Sequence, residues 1–159
     1  DIRKWNFWYF NLHMDHIGVV ARRESAKLVM VKIRELCKSD PVILTGDFNV
    51  DQNNEIFTLF TSSGILRDSY VSAGHRFAET GTFNNFNPDM KTDTRIDHIF
   101  VSSHFTVDNY GVLTNCYWTP VAEDSVQKSG ATSEKNTPLS YQRRTPSDHY
   151  PVVVRIYCK

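Results

Sequence analysis

Apolar and polar positions along this chain follow two periods, and the changes between them mark its elements. Trp5-Asn6-Phe7-Trp8-Tyr9-Phe10 is an aromatic-rich strand pattern lying within Asp1 to Leu12. No turn or capping segment precedes it, so the chain is expected to begin with a cut through a fold. His13 to Gly18 then makes a loop. From Val20 to Lys38 the spacing predicts a helix, with Ala21, Leu28, Val31 and Leu36 near helical intervals and charges between them. Ser39-Asp40-Pro41 stops it. Val42-Ile43-Leu44-Thr45 is a short apolar run of the kind a strand buried on both faces needs. A short helix is expected over Glu55 to Thr61, with Ile56, Leu59 and Phe60 turned inward. Beyond Ile65 the pattern predicts strands at Thr82–Phe86, Arg95–Val101, Thr106–Tyr110, Gly111–Tyr117 and Tyr150–Tyr157. The polar stretch from Thr119 to Thr145 is expected to be a surface excursion. Strand, helix, strand, helix and then a meander point to an α/β or α+β sandwich, and no linker divides residues 1–159 into two domains.

Composition narrows the chemistry less than the pattern does. A 40% apolar and 13% aromatic content is ample for a packed core in 159 residues. Eighteen basic and eighteen acidic residues cancel, which disfavours a fully basic polyanion binder and leaves local patches open. Cys37, Cys116 and Cys158 show no zinc spacing, and their odd number leaves at least one thiol unpaired within the chain. No apolar run approaches the length of a membrane span.

Three acidic signatures fit one chemistry: Thr45-Gly46-Asp47-Phe48-Asn49, Arg95-Ile96-Asp97-His98-Ile99 and Ser147-Asp148-His149-Tyr150-Pro151. Each sets a carboxylate beside a short apolar run, where strand ends can face a cleft. Phosphate-ester hydrolysis needs a cation on the attacked phosphate, a group that orients or deprotonates water, and donors for the charge that builds on oxygen. Asp47 and Asn49 are two apart and so share a side on an extended exit; an Asx-rich turn is the plainer account. Asp148 can face a metal while His149 faces substrate, Pro151 biasing Tyr150 toward an extended conformation. Asp97 is a candidate partner for His149, raising its pKa, or it pairs with Arg95. Thr82, in Gly81-Thr82-Phe83-Asn84, offers a hydroxyl near phosphate or merely opens a strand. Arg22 and Arg23 can reach an anion or stay solvated on the helix surface. His75, His98 and His104 read as structural or exposed. Phe83, Phe86, Tyr110 and Tyr117 can stack on a base, although core packing accounts for them more simply.

Asn11-Leu12-His13-Met14-Asp15-His16 admits two readings. It resembles the HxHxDH motif of metallo-β-lactamase-type zinc hydrolases with Asn11 in place of the first histidine, giving His13, Asp15 and His16 as zinc ligands. Alternatively His13 alone points into a phosphate site, with Asp15 and His16 fixing the loop.

Taken in order, Asn11 to His16, Thr45 to Asn49, Gly81-Thr82-Phe83, Arg95-Ile96-Asp97 and Ser147 to Pro151 resemble the endonuclease/exonuclease/phosphatase superfamily. The resemblance implies a four-layer α/β/β/α sandwich of the deoxyribonuclease I-like type, a site at one edge of the two sheets, and Mg²⁺ or Mn²⁺ as cofactor. Position by position, Asp47 matches the carboxylate that orients water and touches metal, and Asn49 the amide that holds it or a phosphate oxygen. Asp148 matches a metal-contacting carboxylate. His149 matches the catalytic imidazole with Asp97 as its orienting partner, and His13 a second histidine present in deoxyribonuclease I.

Members of that superfamily carry an Asn and a metal-binding Glu in a first half that this chain does not match; Glu24 and Glu55 lie too late in the order to replace the Glu. What is here resembles the second half. The expectations are therefore an exposed apolar face covered by a missing N-terminal half, a partner chain or a second copy, and a unit that is a phosphoesterase in its complete form or a non-catalytic scaffold by itself. Its substrate would be a phosphate ester, nucleic acid being possible but not indicated by the charge.

Overall fold

Gly18 ends the first loop and accepts from the N–H of Arg22 (2.9 Å), closing the first turn of α1, Val19–Cys37. Lys38, in the left-handed region (φ 52°), ends the helix ahead of Asp40 and Pro41. Its buried face is Ala26, Met30, Ile33 and Cys37. Leu28, Val31 and Leu36 lie on the solvent side, as does Ala21, so the helix forms where expected but turned onto another stripe. The reason is that α1 carries apolar residues around much of its circumference, and the sheet beneath selects the stripe with the small and flexible side chains.

The computed structural model describes residues 6–121 and 140–159. The other elements are β1 (Trp8–His13), β2 (Val42–Asp47), α2 (Glu55–Thr61), β3 (Leu66–Asp68), α3 (Ser69–Ser72), β4 (His75–Phe77), β5 (Asp97–Ser102), β6 (Phe105–Val112), β7 (Tyr117–Pro120), β8 (Tyr141–Arg144) and β9 (Val152–Cys158). The first sheet runs β1-β2-β5-β3, with β1 parallel to β2 and the other pairs antiparallel. The second runs β4-β6-β9, and β7 with β8 makes a separate ribbon. Asn54 caps α2 by accepting from the N–H of Ile56 (3.0 Å), and Ile56 and Phe60 enter the core as expected, with Leu59 packed beside them.

Period-two alternation sorts the side chains of the first sheet between two cores. Val42, Leu44 and Phe100 face α1 and α2 together with Met30, Ile33, Phe48 and Phe60. Ile43, Ile99 and Val101 face the second sheet and meet Val107, Tyr110, Val112, Val152 and Val154. The result is an α+β sandwich in which helices, first sheet and second sheet are stacked in that order. On the outer side of the second sheet, Val153 and Tyr157 are about half exposed (48% and 52%).

Several expected elements differ. Thr82–Phe86 is no strand: it contributes one isolated bridge, Phe83 to His149. Thr106–Tyr110 and the start of Gly111–Tyr117 are one strand, β6, whose register against β9 shifts between Val107 and Asn109. Of the expected excursion, Tyr117–Pro120 and Tyr141–Arg144 pair as the ribbon; residues 122–139, like residues 1–5, lie outside the described residues. Among the described residues all three cysteines are free thiols, Cys37 being buried. No described helix is long and apolar enough to cross a membrane.

Candidate active site

Three neighbouring strands end in one row. Register pairs His13 of β1 with Asp47 of β2, and Asp47 with Asp97 of β5. The row depends on Gly46. Its φ is 149°, and a Cβ there would lie 1.9 Å from the carbonyl oxygen of Leu12, so only glycine lets β1 approach β2 one residue before Asp47. Gly46 is thus a point of close strand approach inside β2.

Asp47 is fixed from behind. Asn49, in the left-handed region (φ 51°), donates its backbone N–H to Asp47 Oδ1 (2.8 Å). Its side-chain Nδ2 donates to the Met14 carbonyl (2.8 Å), and the Met14 N–H donates to the Asp47 carbonyl (2.9 Å). This ties the loops after β1 and β2 together and leaves Asp47 Oδ2 facing outward. His13 Nε2 is 3.3 Å from that oxygen, with the His13 ring largely in solvent.

Asp97 is positioned by Thr82. The Thr82 hydroxyl oxygen accepts from the N–H groups of Ile96 (3.0 Å) and Asp97 (3.1 Å), and the Thr82 carbonyl accepts from the N–H of Tyr150 (2.7 Å). Thr82 is fully buried. Its hydroxyl therefore faces the backbone behind Asp97 and not a substrate, and this one residue joins the segments that carry Asp97 and His149. Beside it the Asn84–Phe86 turn, with Asn85 and Phe86 at positive φ, aims two N–H groups at the Asp148 carbonyl (2.7 Å from Asn84, 3.1 Å from Asn85). Asn84 is itself buried, its Oδ1 accepting from the Thr145 hydroxyl (3.1 Å). Ser147 Oγ donates to Asp148 Oδ1 (3.3 Å) and accepts from the His149 N–H (3.2 Å).

His149 completes the group. Its Nδ1 donates to Asp97 Oδ2 (2.8 Å), its Nε2 lies 3.8 Å from Asp47 Oδ2, and Phe83 packs edge-on against the ring at 5.2 Å. Burial pulls the pKa of His149 down, but the hydrogen bond to Asp97 and the charges of Asp97, Asp47 and Asp148 outweigh it, and the net direction is upward. Asp47, Asp97 and His149 each offer a ligand atom within 4.8 Å of the other two. Two half-buried carboxylates against one imidazolium leave negative charge uncompensated, and carboxylate oxygens are the donors that hard divalent cations prefer. Asp148 stands outside that trio, although its charge is felt by His149.

Other expected residues fall elsewhere. Arg95 pairs with buried Asp68 (3.2 Å), not with Asp97. Arg22 donates Nη1 to the Asp15 carbonyl (2.7 Å), bracing the loop before α1. Asp15 accepts through Oδ1 from the N–H groups of Ile17 (2.8 Å) and Gly18 (3.0 Å), bonds that hold its pKa below the usual range, Gly18 contributing most. With Asp15 committed to that turn and His13 turned to Asp47, the zinc grouping of His13, Asp15 and His16 does not assemble. Tyr110 is core, Phe86 and Tyr117 are exposed, and His98 is buried. The supporting roles of Asn84 and Ser147 had no local signal beyond their places in the Gly81 and Ser147 motifs.

Comparison with known proteins adds four observations. The sequence model described as "Endonuclease/Exonuclease/phosphatase family" matches residues 5–149. A solved structure of a mannosyl-6-phosphatase from Bacteroides thetaiotaomicron is 49% identical with a TM-score of 0.83, over 98% of this chain and 52% of that one. A family structure from Bacteroides vulgatus is 26% identical with a TM-score of 0.65, over 92% of this chain and 48% of that one. An uncharacterized protein of Acanthamoeba polyphaga mimivirus is 29% identical over 152 residues, 93% of this chain and 48% of its own length. The chain thus spans about half the length of the relatives it matches.

Proposed function

The chain belongs to the endonuclease/exonuclease/phosphatase family, and from that premise we propose that it carries the imidazole and most of the carboxylates of a Mg²⁺-dependent phosphoesterase. The observation that carries this reading is His149, held by Asp97 through Nδ1 and turned with Nε2 toward Asp47. An imidazole gripped at one nitrogen and charged by its neighbours can donate from the other to a phosphate oxygen near neutral pH. Asp47 orients the attacking water and takes up its proton, and Asn49 holds Asp47 in place. His13, on the open side of Asp47, meets a phosphate oxygen at the rim. By the family resemblance Asp47 and Asp148 would hold Mg²⁺ or Mn²⁺, Asp148 joining from outside the Asp47, Asp97 and His149 trio, and the ion would supply neutralisation of the attacked phosphate and activation of water.

The mannosyl-6-phosphatase likeness favours a phosphomonoester over a phosphodiester. Turnover of a phosphate-ester panel by the full-length protein, with Mg²⁺ and after chelation, tests the reading. His149→Ala should lower kcat by roughly a hundredfold to ten-thousandfold; undiminished turnover would remove His149 from the mechanism.

A second reading, a non-catalytic unit that docks on another half, draws on the sheet edges. β1 has a strand neighbour on one side, and Tyr9 on it is 59% exposed. β9 likewise ends the second sheet. A preceding half would cover both edges and contribute the glutamate this chain does not supply. Calorimetric titration separates the readings: divalent-ion binding lost in Asp47→Asn supports the enzyme, and no binding in the full-length protein supports the scaffold.

A further inference from the structure

Asp97 and His149 belong to different sheets. Asp97 opens β5 of the first, and His149 stands just ahead of β9, an edge of the second. Their 2.8 Å hydrogen bond therefore crosses from one layer to the other, between side chains 52 residues apart. Among the described residues β5 pairs with β2 and β3, and no backbone hydrogen bond joins residues 94–98 directly to residues 147–151. The two segments are held at the spacing the pair needs by a third, residues 81–85.

On the Asp97 side, the Gly81 N–H donates to the Thr92 carbonyl (2.7 Å) and the Thr82 N–H to the Thr94 carbonyl (3.1 Å). A Cβ on Gly81 would lie 2.5 Å from the Thr94 carbonyl oxygen, so glycine is what lets the segment run this close. Thr82 then turns its hydroxyl oxygen to the N–H groups of Ile96 and Asp97 (3.0 and 3.1 Å). On the His149 side, the Thr82 carbonyl accepts from the Tyr150 N–H (2.7 Å), and the Asp148 carbonyl accepts from Asn84 and Asn85 (2.7 and 3.1 Å). Phe83 bridges to His149 and packs edge-on against its ring at 5.2 Å. Within this segment Thr82 grips both partners, one through its side chain and the other through its backbone. Without the hydroxyl it would keep its bond to Tyr150 and lose its hold on the start of β5, and the two halves of the pair would shift against each other. Thr82 is fully buried and meets no substrate, so its effect on chemistry runs through Asp97 and His149.

We propose that Thr82 is the positioning residue of the Asp97–His149 pair, its hydroxyl setting the spacing at which Nδ1 meets Asp97 and Nε2 is aimed at a phosphate oxygen. The role rests on the phosphoesterase reading. Its test uses the full-length protein with 4-nitrophenyl phosphate and Mg²⁺, together with NMR of the His149 ring N–H proton, which a bond to a carboxylate shifts downfield and shields from exchange. Thr82→Val should lower kcat by roughly tenfold to a hundredfold, the cost of misplacing a reacting group by about 1 Å, and should abolish the downfield resonance. KM should stay within about threefold, since no group that binds substrate is lost. Thr82→Ser should restore both readings, and Ile33→Val, which loosens the core under α1, should alter neither. If the valine variant does not fold, Gly81→Ala displaces the segment with the hydroxyl kept, and the same two losses are expected. A retained resonance with kcat within about twofold of wild type, in whichever variant folds, would overturn the role, as would equal losses in Ile33→Val. The resonance needs no substrate: its loss in Thr82→Val upholds the positioning role even if wild type hydrolyses no ester, a result that would remove the phosphoesterase reading alone.

Discussion

His149 Nδ1 donates to Asp97 Oδ2 at 2.8 Å, and this bond determines where the other ring nitrogen points. Asp97→Asn should therefore lower the His149 pKa, because burial already pulls it down and the carboxylate is the chief opposing influence. The raised folded-state pKa implies a stabilising contribution fully present below the unfolded value, lost as pH rises through the folded one. An NMR titration of the His149 ring in wild type and variant reads the shift directly; an unmoved midpoint would show that Asp97 does not govern this imidazole. Turnover should fall in the same variant, by less than in His149→Ala.

Thr82 is the next point of leverage. Thr82→Val keeps the shape but leaves two N–H groups, those of Ile96 and Asp97, facing a methyl. The expected cost is about 1–3 kcal/mol for an unsatisfied buried donor, with Thr82→Ser recovering most of it. Urea unfolding of the three proteins checks this. Equal midpoints for valine and threonine would mean the hydroxyl contributes nothing to the strand it touches.

Gly46→Ala should be far more damaging than an alanine usually is. Its Cβ would sit 1.9 Å from Leu12 oxygen, at a backbone angle only glycine adopts freely. A loss on the order of 3 kcal/mol or more is expected. Circular dichroism melting of the variant measures it, and a Tm within a degree or two of wild type would contradict the close approach of β1 and β2.

Acid sensitivity should trace to His98. It is buried among Phe48, Phe57 and Phe100, donates Nε2 to the Val50 carbonyl (3.0 Å) and leaves Nδ1 without a partner among the described residues. Burial depresses its pKa below the ordinary 6.5, so the unfolded chain takes up a proton that the folded one refuses. Stability from this group is present above pH 6.5 and drains away as pH falls below it, by at most about 1.4 kcal/mol per pH unit. His98→Phe should flatten that slope in denaturation series between acidic and neutral pH, and an unchanged slope would assign the sensitivity elsewhere.

Asp47 and Asp97 were legible in the sequence because each borders an apolar run at a strand end, and the Asp148-His149 pair because it stands just ahead of the last apolar run, β9 beginning at Val152. So were the two main helices, but not which face of α1 is buried, since Leu28, Val31 and Leu36 compete with Met30 and Ile33 and only the sheet decides. β3 and β4, at three residues each, are too short to leave a period. The use of Thr82 as a backbone staple was hidden for another reason: its partners lie 14 and 15 residues away, and nothing local distinguishes a hydroxyl facing phosphate from one facing amides. Asp97 choosing His149 over Arg95 is of the same kind, settled by buried Asp68 taking the arginine.

Among the described residues β1 is hydrogen-bonded on one flank and bare on the other, and the row of His13, Asp47 and Asp97 begins at that strand. Whatever seats itself along the bare flank also borders the row. Complementation between two separately expressed polypeptides would then be read out as chemistry, and the same exposed edge would make an unaccompanied copy prone to stick to itself.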